Sequence, residues 1–288
     1  MTRLSFRSVF VSDVHLGYAD CQAVYLLDFL RSMQCKRLYL VGDIVDLENM
    51  AKRPFWNASH SAVVAEILAI AARGTEVIYI PGNHDAELRR LAGQRIAGIQ
   101  FALDAVHVGA DGRRYRVSHG DEYDNADAAP AWWLQLGDAL QGFICAMNRR
   151  CNSLLRHCGL RYLPLSIMIK RRIAMAWRFI ERFEARVTER ARADGFDGHI
   201  CGHIHYARMH DHDGVLYLND GDWVEHCTTL VEHADGALEL LHWTGQRLTL
   251  ARCAPKTPAP LVLAAAARST AAITDLVHFK MVAAATNM

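Results

Sequence analysis

Five short polar motifs constrain this chain more than any other feature. They are Asp13-x-His15, Gly42-Asp43-x-x-Asp46, Gly82-Asn83-His84-Asp85, His119-Gly120-Asp121 and Gly202-His203-x-His205. Four of them come just after a short apolar run that reads as a strand, among them Ser8–Ser12, Arg37–Val41, Glu76–Ile80 and Arg113–Ser118. Helical spacing over Gln22–Met33 and His60–Arg73 separates the first three runs. That β-α-β-α-β rhythm predicts a largely parallel sheet covered by helices. Loops leaving the carboxyl ends of such strands converge on one crevice, so residues scattered from 13 to 205 are expected to meet. After Ile200 the pattern changes to strands at Val215–Leu218, Thr228–Glu232 and Ala237–His242, with hairpin signals at Asp213-Gly214 and Asp235-Gly236.

The donors in these motifs are carboxylates, an amide oxygen and imidazoles, with no thiolate. That mixture suits Mn²⁺, Fe, Zn²⁺ or Mg²⁺ rather than a soft-metal site. Each motif alone is weak, since D-x-H arises by chance and G-D-x-x-D can be only a turn. Five in order, each where a strand should end, are not accounted for by packing. In a strand or its continuation, positions i and i+2 point the same way. Asp13 and His15 are thus expected to grip one ion, and His203 and His205 to do likewise. His60 and Asn57 are candidates to line the pocket, whereas His107, His157, His199, His210, His212, His226, His233 and His242 lack a supporting motif.

Composition narrows the class. The 288 residues are 51% hydrophobic and 22% charged, with 32 Lys+Arg against 31 Asp+Glu, the profile of a globular protein. The eight cysteines contain no C-x-x-C pair and read as reduced thiols. No run approaches the ~18 apolar residues of a membrane span, and the N-terminus runs straight into strand-like sequence. A cytoplasmic location is expected. The charge is unevenly placed: Gln141–Arg192 carries 12 Lys+Arg and 3 Asp+Glu, a net of +9 that leaves −8 for the remainder. This stretch lies within a helical segment, about 130–194, which reads either as a solvated charged face or as an inserted cap that attracts phosphate or an anionic membrane surface. Residues 1–253 are expected to form one domain carrying that insertion, followed by an Ala-rich tail, 254–288.

The motifs in this order, D-x-H, G-D-x-x-D, G-N-H-D, S-H-G-D and G-H-x-H, resemble those of the calcineurin-like metallophosphoesterases over about residues 8 to 250. Within that superfamily SDVHLG, YLVGDIVDL, PGNHD, SHGDEYD and CGHIHYA look most like the UDP-2,3-diacylglucosamine diphosphatases. The resemblance implies an α/β fold, a four-layer α/β/β/α sandwich of two mixed sheets with an inserted basic helical cap. It implies two divalent metal ions, Mn²⁺ foremost, with Asp13, His15, Asp43 and His205 on the first. Asp43, Asn83, His119 and His203 would hold the second, and Asp43 would bridge. His84 would stand over the phosphate as the catalytic imidazole, with Asp46 hydrogen-bonded to it. On that reading Asp46→Asn keeps both metals and slows turnover. Two cations about 3.5–4 Å apart acidify a shared water and offset charge on a phosphate, and an imidazole supplies the leaving oxygen with a proton.

For substrate, the resemblance implies cleavage of UDP-2,3-diacylglucosamine to UMP and the acylated sugar 1-phosphate, in lipid A synthesis on the cytoplasmic face of an inner membrane. Asn83, His84 and His203 would touch the phosphate, and Ser166 and Lys170, four apart on one helical face, would reach the diphosphate. The chain departs from the best-known diphosphatases at one place, with His84 where they have arginine after the G-N pair. The alternatives are a phosphodiesterase acting on another nucleotide or a phospholipid head group, and a non-catalytic scaffold of the kind found in a retromer subunit. No nucleic-acid partner is expected, because the basic residues form one local cap rather than a long stripe.

Overall fold

The computed structural model describes residues 3–124 and 174–256. Four parallel strands form the centre of the first sheet: β1 (Leu4–Val11), β2 (Met33–Val41), β3 (Glu76–Ile80) and β5 (Ile99–Phe101). They are apolar on both faces because both faces are covered, which is why their sequences run apolar without alternation. Val9, Val11, Leu38, Leu40, Val77 and Tyr79 pack with Leu26, Phe29 and Leu30 of α1 (Ala23–Ser32) and Val63, Ile67 and Ile70 of α3 (Ala58–Ala72). The intervening Phe10, Tyr39, Val41, Ile78 and Ile80 pack instead with Tyr115, Val117, Ile200, Leu216 and Leu218 of the second sheet. Each such side chain contributes about 1.5–3 kcal/mol of burial.

The first sheet has eight strands in the order β13-β12-β11-β1-β2-β3-β5-β4. Its antiparallel members are β4 (Arg95–Ile96), β11 (Thr228–Glu232), β12 (Leu238–Trp243) and β13 (Arg247–Cys253). The second has five, in the order β6-β7-β8-β10-β9. They are β6 (Ala105–Val108), β7 (Arg114–Val117), β8 (Gly198–Cys201), β9 (Arg208–His212) and β10 (Val215–Asn219). Its outer face is closed by α4 (Ala174–Ala193), whose Phe183 and Val187 pack on Cys201 and Tyr217. The layers therefore run helix, sheet, sheet, helix, as expected.

Of the segment read as an inserted cap, residues 174–193 are α4 and belong to the sandwich itself, because an amphipathic helix is needed to cover the second sheet. The rest of it, with Ser166 and Lys170, lies outside the described residues, as does the tail from 257 onward. Five short or edge strands, β4, β5, β6, β9 and β13, were not legible. β9 reads Arg-Met-His-Asp-His and β13 is largely exposed, so neither carries the apolar run by which a strand is recognised. Among the described residues no helix is long and apolar enough to cross a membrane.

Candidate metal centre

Past their last strand residues, the β1 and β2 loops continue side by side. Asp13 N donates to Gly42 O at 3.1 Å, His15 N to Asp43 O at 2.9 Å and Asp46 N to Leu16 O at 2.8 Å. The third loop is tied to the second by Asp85. Its Oδ1 accepts from Gly82 N at 2.6 Å, and its Oδ2 accepts from Ile44 N at 2.9 Å and Tyr79 Oη at 2.5 Å. The fourth loop is pinned to the third by Arg89, which donates to Asp121 Oδ2 at 2.6 Å. Two glycines make the approach possible: a Cβ on Gly82 would overlap Asp43 Oδ1 and the His119 ring, and one on Gly202 would overlap Asp13 Oδ2 and Ser12.

Asp13, His15, Asp43, His203 and His205 all have left-handed backbone, with φ of 49°, 53°, 54°, 69° and 51°. Such residues cost about 1–3 kcal/mol each and gather at functional sites. Their side chains therefore converge through tight left-handed turns, not through the i, i+2 alternation of a strand. The consequence is clearest for the His203/His205 pair, which does not act as one unit. His205 Nε2 lies 3.0 Å from Asp13 Oδ1 and 3.3 Å from His15 Nε2. His203 sits beside His119, ring centroids 5.1 Å apart, with its Nε2 2.9 Å from Asp124 Oδ2.

The remaining donors close the centre. Asp43 Oδ2 lies between two imidazoles, 3.8 Å from His15 Nε2 and 3.3 Å from His119 Nε2. Asn83 Oδ1 is 3.2 Å from His119 Nε2. Two groups, Asp13/His15/His205 and Asp13/Asp43/His119, each hold their ligand atoms within 4.8 Å of one another. Second partners fix the tautomers, as around metal-ligating histidines generally. His119 Nδ1 donates to Val41 O at 3.0 Å, and His15 Nδ1 to Asp46 Oδ2 at 3.1 Å, leaving each Nε2 facing inward. The other Asp46 oxygen accepts from His84 Nδ1 at 3.1 Å and from Asn49 N at 2.9 Å, the latter capping α2 (Leu47–Lys52).

Charge is concentrated here. Burial alone would push Asp43 up, but His119, His15 and His84 outweigh it and hold the carboxyl far below its usual range. Asp13 is likewise lowered against burial by His205 and His119, and Asp46 against burial by His15 and His84. The reciprocal effect raises His119 to about 10, burial being overcome by Asp43 and Asp13. His84 is also raised, against burial, through Asp46, Asp43 and Glu48. Three ionised carboxylates at 0–3% exposure demand cations around them. Asp13 Oδ1 is buried with no aligned hydrogen-bond donor. Ligands of one divalent ion at ~2.1 Å lie about 3–3.5 Å apart, which is the spacing of His205 from Asp13 and His15 and of His119 from Asp43 and Asn83, while His15 stands 3.8 Å from Asp43. The donor set fits divalent cations, and no thiol joins these groups.

The sequence reading missed the loop after β10, Asn219-Asp220-Gly221-Asp222-Trp223. Asn219 Nδ2 donates to Gly202 O at 2.6 Å, Ser12 bridges Asp13 and Asp220, and Trp223 N donates to Asp13 O at 3.0 Å. Its signal was available, another Asp/Asn/Gly cluster after a strand. Asn57 and His60 do not line the centre. Asn57 caps α3, and His60, buried and lowered by desolvation, accepts from Gly17 N at 3.2 Å.

A family model described as calcineurin-like phosphoesterase matches residues 6–207. A UDP-2,3-diacylglucosamine hydrolase of Neisseria gonorrhoeae is 25% identical over 255 residues, covering 80% of this chain and 96% of that protein. One of Xanthomonas campestris is 28% identical over 262 residues, covering 81% and 98%. Among solved structures, Yfce, a phosphoesterase from E. coli, is 14% identical with a TM-score of 0.44, covering 86% of this chain and 99% of that one.

Proposed function

The chain belongs to the calcineurin-like phosphoesterase family, and from that membership we propose that it hydrolyses the pyrophosphate of UDP-2,3-diacylglucosamine, giving UMP and the acylated sugar 1-phosphate. It is a metal-dependent phosphoester hydrolase. The observation that carries the reading is the convergence of Asp13, His15, Asp43, His119 and His205 beside the Asp46–His84 pair. Support for the substrate comes from relatives that carry this hydrolase name and align along nearly their whole length.

In the proposed arrangement Asp13, His15, Asp43 and His205 hold one divalent ion, and Asp43, Asn83, His119 and His203 hold another, with Mn²⁺ preferred. When bound, the ions would supply Lewis-acid charge that activates water and offsets the phosphate oxygens. Of His15, Asp46 and His84, whose ligand atoms lie together, His84 has the most exposed side chain, at 33%. That exposure supports His84 as the group that meets a phosphate and protonates a leaving oxygen. Ionised Asp46 can only accept, so the His84 proton on Nδ1 is fixed and Nε2 is turned to the substrate. Ser166 and Lys170 of the basic segment are assigned to the diphosphate, and that segment to the anionic membrane surface on which such a lipid resides.

The test is UMP release from UDP-2,3-diacylglucosamine by the purified chain with Mn²⁺, against a metal-stripped control. Metal-dependent UMP at catalytic rates is expected. If no UMP forms while a chromogenic phosphodiester is still cleaved, the substrate assignment falls and the acceptor of attack is another nucleotide or a phospholipid head group. The residue His84 in place of arginine is what gives that second reading its standing.

A further inference from the structure

Another group of metal-type donors stands apart from the centre just described, at the edge of the second sheet. Glu184 of α4 is 1% exposed, and its Oε2 lies 3.1 Å from His210 Nδ1 and 3.2 Å from His212 Nε2, both on β9. The three ligand atoms lie within 4.8 Å of one another. Strand periodicity sets His210 and His212, two apart, on the same side of β9, facing the helix. The other Glu184 oxygen is 3.0 Å from Arg208 Nη1, and Arg208 lies over the Trp177 ring at 5.1 Å. Arg208 Nη2 is also 3.3 Å from His210 Nδ1, and Arg192 Nη2 donates to His212 O at 2.7 Å. The carboxylate is thus oriented by one neighbour while its second oxygen is aimed at two imidazoles.

We propose that Glu184, His210 and His212 bind a Zn²⁺-type divalent cation that clamps β9 to α4. Two ligands of a tetrahedral zinc ion at ~2.1 Å are about 3.4 Å apart, close to both oxygen–nitrogen separations. One carboxylate with two imidazoles is richer in nitrogen than a Mg²⁺ or Mn²⁺ site and suits zinc. The side chains of His210 and His212 are 43% and 28% exposed, so water completes the coordination from the open side. The clamp has a structural consequence. β9 follows directly on the His203-x-His205 turn, and Phe183, the neighbour of Glu184, packs on the His203 ring at 6.0 Å. Fastening β9 to α4 therefore steadies the strand that follows that turn, while the turn itself is held by His203 N donating to Asp13 Oδ2 at 2.9 Å and Asn219 Nδ2 donating to Gly202 O at 2.6 Å.

Zinc content after equilibrium dialysis of the metal-stripped full chain tests the proposal. The doubly substituted His210→Ala/His212→Ala chain is expected to bind one zinc fewer than the unsubstituted chain, while its Mn²⁺-dependent hydrolysis of a chromogenic diester stays within about twofold. That retained activity shows that the loss is not unfolding. A chain carrying Asp13→Ala and His119→Ala is expected to keep this zinc, and with Co²⁺ to show the visible absorption of a tetrahedral nitrogen–oxygen site. Equal zinc content with and without the two histidines overturns the proposal and leaves Glu184 in a purely ionic network. If the histidine pair proves necessary for folding, absence of the cobalt absorption in the second chain overturns it equally.

Discussion

Asp46 divides its two oxygens between His15 and His84, and this changes what its loss should do. The sequence reading gave it His84 alone, so that Asp46→Asn would spare both metals. With Oδ2 3.1 Å from His15 Nδ1, the same carboxylate also fixes the imidazole that faces Asp13 and Asp43. An asparagine offers only one acceptor oxygen in that position. Asp46→Asn is expected to weaken metal binding about 10–100-fold as well as slow turnover. Metal content by dialysis, beside initial rates, separates the two, and full metal content with slow turnover would restrict Asp46 to His84. His84→Ala, by contrast, is expected to lower turnover about 10²–10⁴-fold with metal content unchanged. A variant that loses metal would place His84 among the ligands instead.

Among the elements, α4 and the β1–β11 pair carry measurable consequences. Phe183 is fully buried between Tyr217 and the His203 ring. Phe183→Ala is expected to cost about 3–5 kcal/mol of stability, read from the urea unfolding midpoint, and a cost under 1 kcal/mol would mean α4 is not a true layer of the sandwich. Glu232 on β11 is fully buried. It accepts from Arg7 Nη1 at 2.7 Å, Ser8 Oγ at 2.8 Å and Ala110 N at 2.7 Å, with His107 Nε2 at 3.0 Å. Burial pushes its carboxyl up, but His107, the Ala110 amide and Arg7 together bring it down from 4.5 to about 2. A lowered folded-state value means stability that is present above pH ~4.5 and lost as pH falls toward 2, roughly 3 kcal/mol in all. Plotting unfolding free energy against pH, Glu232→Gln should flatten that acid limb, and an unchanged slope would assign it to other carboxylates.

For the molecule as a whole, the buried carboxylates of Asp13, Asp43 and Asp46 make the centre a store of negative charge that bound cations relieve. Ligand binding to the folded state alone adds about 2.7 kcal/mol at 100-fold over its dissociation constant. Chelation should therefore abolish diester hydrolysis and lower Tm by about 5 °C or more, both restored by Mn²⁺. A melting temperature indifferent to metal would mean that the imidazoles, protonated, already balance the carboxylates. A large part of this architecture was legible. Parallel strands buried on both faces leave continuous apolar runs, and loops at their carboxyl ends must carry the polar residues, so β1, β2, β3 and the five motifs stood out. β4, β5, β6, β9 and β13 did not, because a very short, edge or half-exposed strand needs no such run.

The donor types, their order along the chain and their place at strand ends were in the sequence, since local composition records which backbone positions face a crevice. Spacing within the motifs did not say which donor meets which. Left-handed turns at Asp13, His15, Asp43, His203 and His205 aim the side chains, and turn geometry depends on the neighbouring loop, held by Asp85 and by the Asn219–Trp223 segment. The pairing of His203 with His119 and of His205 with Asp13, the double duty of Asp46 and the meeting of Glu184 with His210 and His212 all join residues apart in the chain. Such pairings are set by how sheets and helices pack in three dimensions, and no spacing within one motif encodes them.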